Sequence, residues 1–192
     1  MPARATRRVT VTVLAVLAVF AVAACDGAES PGMPSTPSAT SAPPTVSSRT
    51  STTQSEQAAQ ERAAVEASYR NFWRVGQSFD RDYPPGEWRT VLGRVATDPV
   101  LSRALSGAQL QRQNGIVLYG QVGLRPTVRS IDPEGRAEVS DCQDTSRTGQ
   151  ADAKTGARRT VGVPRAPVTA TLLRGVDGRW RVSDTRYTGG RC

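Results

Sequence analysis

Hydrophobic residues in this chain follow two different spacings, one on each side of about residue 115. From about residue 55 to residue 79 they recur at steps of three and four, so they share one face of a helix. The stripe of this first predicted helix consists of Val65, Tyr69, Phe72, Val75 and Phe79. The Tyr-Pro-Pro-Gly segment at residues 83–86 ends the helix.

Two shorter helices are predicted before the spacing changes. The second starts near Glu87, and its apolar stripe consists of Trp88, Val91, Leu92 and Val95. The third starts at Asp98, a good N-terminal cap, and Pro99 suits the first helical position. Gly107 is a plausible end for this third helix.

The spacing then becomes two, which predicts strands at residues 116–122, 126–131, 136–142, 158–163, 167–174 and 179–187. A two-residue turn at Asp177-Gly178 would place Trp180 and Val182 on the face of Leu173. A bulge would exchange the two faces, so the pattern leaves open which face is the core. Helices followed by antiparallel strands predict an α+β fold, with three N-terminal helices packed on a bent, mostly antiparallel sheet.

The first 24 residues have the organisation of an export signal. Arg4, Arg7 and Arg8 precede an apolar stretch at residues 9–24, which is shorter than a bilayer-spanning helix. Val-Ala-Ala-Cys at residues 22–25 resembles the lipobox of bacterial lipoproteins. That resemblance implies a signal peptide at residues 1–24 and acyl chains, such as palmitate, on Cys25. The alternative is an ordinary signal peptide, with Cys25 an unmodified bystander.

The segment that follows Cys25 differs in composition from the rest of the chain. Residues 25–54 are almost entirely Ser, Thr, Pro, Ala and Gly, without aromatic residues. Such a segment buries too little apolar area to offset chain entropy, so we predict a disordered tether. Residues 55–192 then form one domain, held by lipid at the extracytoplasmic face of a bacterial cell membrane.

The lipobox also bears on the three cysteines of the chain. If Cys25 is acylated, Cys142 and Cys192 remain as a pair. A disulfide is the default for such a pair outside the cytoplasm, and this one would fix the C-terminus.

Charge and composition exclude several classes of function. The chain has a formal net charge of +8 and no histidine, and loss of the signal leaves +5. A basic envelope protein suits anionic lipid or wall polymers, whereas export removes it from nucleic acid. The lack of histidine excludes a Ser-His-Asp set and a histidine-ligated zinc. We therefore predict no cofactor, no metal site and no enzymatic activity.

A second resemblance rests on Tyr-Arg-Asn-Phe-Trp at residues 69–73 and on the closing Asp-Gly-Arg-Trp-Arg-Val at residues 177–182. With the order of elements, these residues resemble the NTF2-like, cystatin-type cone over residues 58–187. The cysteine pair is similar to that of secreted actinobacterial-type members. Some enzymes of this family, the ketosteroid isomerases and polyketide cyclases, place an aspartate base and a tyrosine in the cone.

The resemblance makes Asp141 or Asp144 the candidate base and Tyr119 or Tyr69 the candidate donor. The simpler interpretation is structural: the aspartates suit turn hydrogen bonds at a strand end, and Tyr69 lies on a core stripe. Three tryptophans are candidates for lining a pocket or for packing in the core: Trp73, Trp88 and Trp180.

The function predicted from these features is a lipid-anchored extracytoplasmic protein of binding or assembly type, accessory to an envelope or secretion complex. Alternatives are a carrier or an isomerase-like enzyme that uses the cone for an apolar small ligand, and a purely structural spacer. An acid and a tyrosine facing an empty cavity would favour a small ligand. A filled cone with an exposed apolar patch would favour a protein partner.

Overall fold

A computed structural model of the chain describes the backbone of residues 48–192 and the side chains of residues 53–192. The predicted signal at residues 1–24, the lipidation site Cys25 and most of the predicted tether lie outside the described residues. Within residues 48–192, none of the helices combines the length and apolar composition that a membrane span requires.

The helices occupy the first part of the described chain. They are α1 (Ser48–Gly76), α2 (Phe79–Asp82), a 3-10 turn (Pro85–Glu87), α3 (Trp88–Leu92) and α4 (Val100–Gln113). Helix α1 begins before residue 55, where the tether was predicted to end. Its first turns are polar, and an existing helix extends over such residues because each added residue gains one backbone hydrogen bond.

The strands form two antiparallel sheets. Their bounds are β1 (Ile116–Tyr119), β2 (Pro126–Ile131), β3 (Arg136–Gln143), β4 (Gly149–Asp152), β5 (Ala166–Arg174) and β6 (Trp180–Tyr187). The main sheet has the order β2-β3-β5-β6, and β1 pairs with β4 separately. Register shifts in β2 and between β5 and β6 increase the local bend of the main sheet. The α+β class, with helices packed on a mostly antiparallel sheet, is confirmed.

The core lies between α1 and the main sheet. Helix α1 packs against β2 and β6, and its predicted stripe supplies the buried Val65, Tyr69 and Phe72. The sheet contributes the buried residues Ala137, Val139, Ala170, Leu172, Trp180 and Val182. Burial of this set removes apolar area from water, which is the main stabilising term of the fold.

The closing hairpin differs from the predicted two-residue turn. Gly175 N–H donates to Arg179 O at 2.9 Å, which leaves a three-residue loop at residues 176–178 with Gly178 at a φ of +75°. Leu172 therefore pairs with Val182, and both are fully buried, while Leu173 is exposed. One residue more in the loop moves Trp180 and Val182 onto the face of Leu172.

Two other predictions were wrong. Gly107 does not end α4, because a single glycine costs a helix only about 1 kcal/mol. The helix runs on to Gln113, and Gly115 follows it with a φ of +61°. The strand predicted at residues 158–163 is absent from the described strands, and β4 forms earlier instead. Thr160 Oγ1 accepts the Gln150 N–H at 2.9 Å, so a side chain replaces a ladder carbonyl.

The predicted disulfide is confirmed. Cys142 and Cys192 are bonded, with 5.8 Å between their Cα atoms. The last residue is thereby joined to the end of β3. Cys192 N–H also donates to Arg165 O at 3.1 Å, so the C-terminus is held by both a covalent and a hydrogen bond.

Candidate small-molecule cavity

An apolar cavity of about 420 Å³ lies between the C-terminal end of α1 and the small β1-β4 sheet. Its apolar wall includes Phe72, Trp73, Leu92, Ala104, Leu118 and Val122. Its polar wall includes Gln77, Gln143, Thr145, Thr148 and Gln150. Sites for small molecules typically enclose about 300–1,000 Å³, with mostly apolar walls and a few polar groups. In size and lining, this cavity fits that description.

Two glycines allow the backbone to close around the β1-β4 side of the cavity. A Cβ on Gly120, whose φ is +80°, would lie 2.1 Å from Arg147 O. A Cβ on Gly149 would lie 2.1 Å from Thr160 O. Any side chain at either position would displace the neighbouring backbone, so these glycines fix the shape of this wall.

A buried polar network lies behind the cavity wall. Tyr69 Oη donates to Asp141 Oδ2 at 2.9 Å, and Gln143 Nε2 donates to Tyr69 Oη at 2.9 Å. All three side chains are buried, Tyr69 completely. Gln143 also lines the cavity, so it connects the network to the space where a ligand would lie.

The network holds Tyr69 as a neutral donor. Burial raises the pKa of the Tyr69 phenol, and the nearby charge of Asp141 raises it further. Asp141 Oδ1 accepts the Arg125 N–H at 2.6 Å, so both carboxylate oxygens are occupied. Asp141 does not line the cavity. An aspartate so placed ties β3 to α1 and to the start of β2, and it does not face a ligand in the cavity.

The other two catalytic candidates lie apart from this pair. Asp144 is exposed and accepts hydrogen bonds from the backbone and hydroxyl of Ser146, which hold its pKa below the usual range. Tyr119 lines the cavity with its ring, while its hydroxyl donates to Thr160 O at 2.8 Å. The structure therefore brings Tyr69 and Asp141 together and leaves Tyr119 and Asp144 in separate contacts.

Of the three tryptophans, Trp73 lines this cavity. Its Nε1 is buried and has no hydrogen-bond partner among the described residues. Trp88 Nε1 donates to Tyr83 O at 2.9 Å, and its ring meets Phe79 edge to face. Trp180 is a buried core residue of β6. Trp73 therefore lines this cavity and also packs against the core, whereas Trp88 and Trp180 are buried in the core. Trp88 also lines a separate cavity beside α3 and α4.

Metal ligands are not grouped in the described part of the chain. Residues 53–192 contain no cluster of three or more aspartate, glutamate, cysteine or histidine side chains. The two cysteines in this range are joined to each other, so neither thiol is available. No metal or cofactor is assigned to the cavity.

Gln143 is a site residue that sequence reasoning missed. The period-two pattern held a signal for it, because Ala137, Val139, Asp141 and Gln143 alternate with exposed or half-buried positions along β3. Polar residues at the last two inward positions of a strand indicate either a buried network or a polar spot on a cavity wall. Here Asp141 and Gln143 belong to a buried network, and Gln143 is also a polar spot on the cavity wall.

Comparison with known proteins does not identify a family for this chain. No family model and no curated protein matches the chain. A conserved protein from Planctomyces limnophilus DSM 3776 is 14% identical with a TM-score of 0.42, over 66% of this chain and 93% of its own. A protein from Catenulispora acidiphila is 16% identical with a TM-score of 0.40, over 68% and 91%. The class that fold and site define is an α+β domain with an apolar cavity beside its helices.

Proposed function

We propose that this protein is a lipid-anchored, extracytoplasmic binding protein that holds an apolar small molecule in the cavity between α1 and the β1-β4 sheet. The observation that carries the proposal is the cavity itself, about 420 Å³ with a largely apolar lining. Export and anchoring rest on the signal pattern of residues 1–24 and on Cys25. The NTF2-like resemblance supports the same function, because a cone of this type encloses space.

Binding fits the geometry better than acid–base catalysis does. The only predicted acid–tyrosine pair that comes together is Tyr69 with Asp141, and its polar atoms are occupied by each other, Gln143 and Arg125 N–H. A general base must lie within hydrogen-bond reach of the proton it removes. Gln143 offers a ligand the amide oxygen that accepts no hydrogen bond from residues 53–192.

Filling the cavity tests the proposal. Gly76 lines the cavity, and a Cβ added there meets open space within 4 Å. Because the Cβ has room and Gly76 is part of the cavity wall, we expect the ring of Gly76→Phe to take up space in the cavity. Gly107→Phe is the matched control, since a Cβ at Gly107 also meets open space and Gly107 does not line the cavity.

The measurement uses the chain from residue 25 onward with Cys25→Ser, which carries every core residue. N-phenyl-1-naphthylamine, an uncharged apolar dye, is titrated and its fluorescence recorded. We expect saturable binding to the parent chain and to Gly107→Phe, and a loss of roughly tenfold or more in affinity for Gly76→Phe. Equal affinity of the two phenylalanine variants, or no saturable binding to the parent, would overturn the proposal in favour of a protein partner.

A further inference from the structure

A second cavity, of about 390 Å³, shares a wall with the apolar one. It lies beside the end of α1, the short α2 and residues 120–124. Four residues line both cavities: Trp73, Gln77, Gly120 and Val122. The two cavities therefore adjoin at these four residues.

The lining of the second cavity is basic. Arg70, Arg74 and Arg81 line it, against the single carboxylate of Asp82. Arg70 is engaged by Glu66 at 2.8 Å, whereas Arg74, within residues 53–192, bonds only to the neutral amide of Asn71, at 2.6 Å. Arg81 and Asp82 are 3.4 Å apart and about half exposed, so solvent screens their interaction. Arg74 and Arg81 therefore retain donors and positive charge for another partner.

Gln77 adds a donor at the shared wall. Its Oε1 accepts the Val122 N–H at 3.3 Å, which fixes the orientation of the amide. The Nε2 of Gln77 has no hydrogen-bond partner among residues 53–192. An amide N–H₂ beside two guanidinium groups matches the acceptor oxygens of a carboxylate or a phosphate.

We propose that the ligand is an amphiphilic anion, whose apolar part fills the cavity beside Phe72 and Leu118 and whose carboxylate or phosphate is bound by Arg74, Arg81 and Gln77. This inference rests on the proposed function and adds the chemical class of the ligand. The guanidinium fork binds planar or tetrahedral oxyanions through paired hydrogen bonds. The anionic group stays at the exposed end, where its hydration is only partly lost, while the chain is buried.

The experiment compares probes that carry one or both parts of such a ligand. Decanoate and decyl phosphate have a chain and an anion, decan-1-ol has a chain alone, and inorganic phosphate has an anion alone. Each displaces N-phenyl-1-naphthylamine from the chain described above. We expect one or both amphiphilic anions to bind roughly tenfold or more tightly than decan-1-ol, and inorganic phosphate not to compete. The tighter of the two anions identifies carboxylate or phosphate as the head group.

Two arginine variants complete the test. Arg74→Gln should remove most of the advantage of the anions and leave the affinity for decan-1-ol unchanged. Arg129→Gln is the matched control, because Arg129 is also exposed and bonds to a neutral partner, Ser140 Oγ at 2.6 Å, but lines neither cavity. It should change nothing.

The two proposals fail in different ways. If decan-1-ol binds as tightly as the anions, or if Arg74→Gln binds the anions as the parent does, the anionic ligand is refuted and the apolar cavity still stands. If neither the dye nor any amphiphile binds the parent, both proposals fall.

Discussion

Removal of one hydroxyl at Tyr69 tests whether the buried polar network is structural. In Tyr69→Phe, Asp141 Oδ2 and Gln143 Nε2 both lose their partner inside the core. A hydrogen bond to a charged acceptor contributes about 1.5–3 kcal/mol and a neutral one about 1 kcal/mol. We therefore expect the free energy of unfolding to fall by about 3 kcal/mol, a large part of the usual total of about 5–15 kcal/mol.

The matched control is Tyr119→Phe. That hydroxyl makes one hydrogen bond, to a neutral carbonyl, and the residue is only partly buried, so we expect a loss of about 1 kcal/mol or less. Urea unfolding, followed by circular dichroism on the chain from residue 25 with Cys25→Ser, measures both variants. Equal losses in the two variants would refute the reasoning, because the network would then add nothing to an ordinary hydrogen bond.

Tyr69→Phe also tests whether Tyr69 and Asp141 take part in ligand binding or contribute only to stability. If Tyr69 and Asp141 only join α1 to the sheet, Tyr69→Phe should bind N-phenyl-1-naphthylamine with the affinity of the parent at temperatures where it is folded. A loss of binding with no loss of stability would instead place the pair in the ligand site.

Two further predictions concern the sulfur atoms of the chain. Replacing Cys142 and Cys192 with serine opens a loop with a sequence separation of 50 residues. Because chain entropy values such a loop at about 4 kcal/mol, the free energy of unfolding measured in urea should fall by that amount. Two freely alkylated thiols in the parent without reductant would contradict the bond. Cys25→Ser in the full chain should stop acylation, so the protein should leave the membrane fraction or accumulate as the uncut precursor; fractionation identical to that of the parent would contradict the anchor.

Local patterns were enough for much of the fold. The stripe from Val65 to Val75 predicted the face of α1 that packs on the core, because the helical repeat places those positions on one side whatever packs against them. The helix was predicted to reach Phe79, whereas α1 ends at Gly76 and Phe79 begins α2. The strand predicted at residues 126–131 matches β2, and β3 and β5 differ from prediction by one residue each. The apolar repeat of a helix or a strand lies within that element's own residues, so it predicts the buried face without knowledge of the packing partner.

The candidate site depended on contacts between distant residues. Tyr69 and Asp141 were separate candidates, and their hydrogen bond joins residues 72 positions apart in the chain. Gln77 carries no local signal of a cavity, since a glutamine on a helix is usually a solvated residue. The inward position of Gln143 on β3 indicates a buried polar role, but it does not distinguish a network from a cavity wall. Only the tertiary arrangement, which places the end of α1 and the β1-β4 sheet around one cavity, gives these side chains a role.

By itself, the sequence indicated an α+β class, the buried stripe of the first helix and the four strands of the main sheet. It also predicted the pairing of the last two cysteines, and export and lipidation at Cys25. The tertiary structure alone decided the face of the closing hairpin, since one extra loop residue reverses the side on which Trp180 and Val182 point. It also decided where space remains in the core. Helix and strand patterns reflect short-range periodicity, whereas register and cavities depend on the simultaneous packing of many side chains from distant parts of the chain.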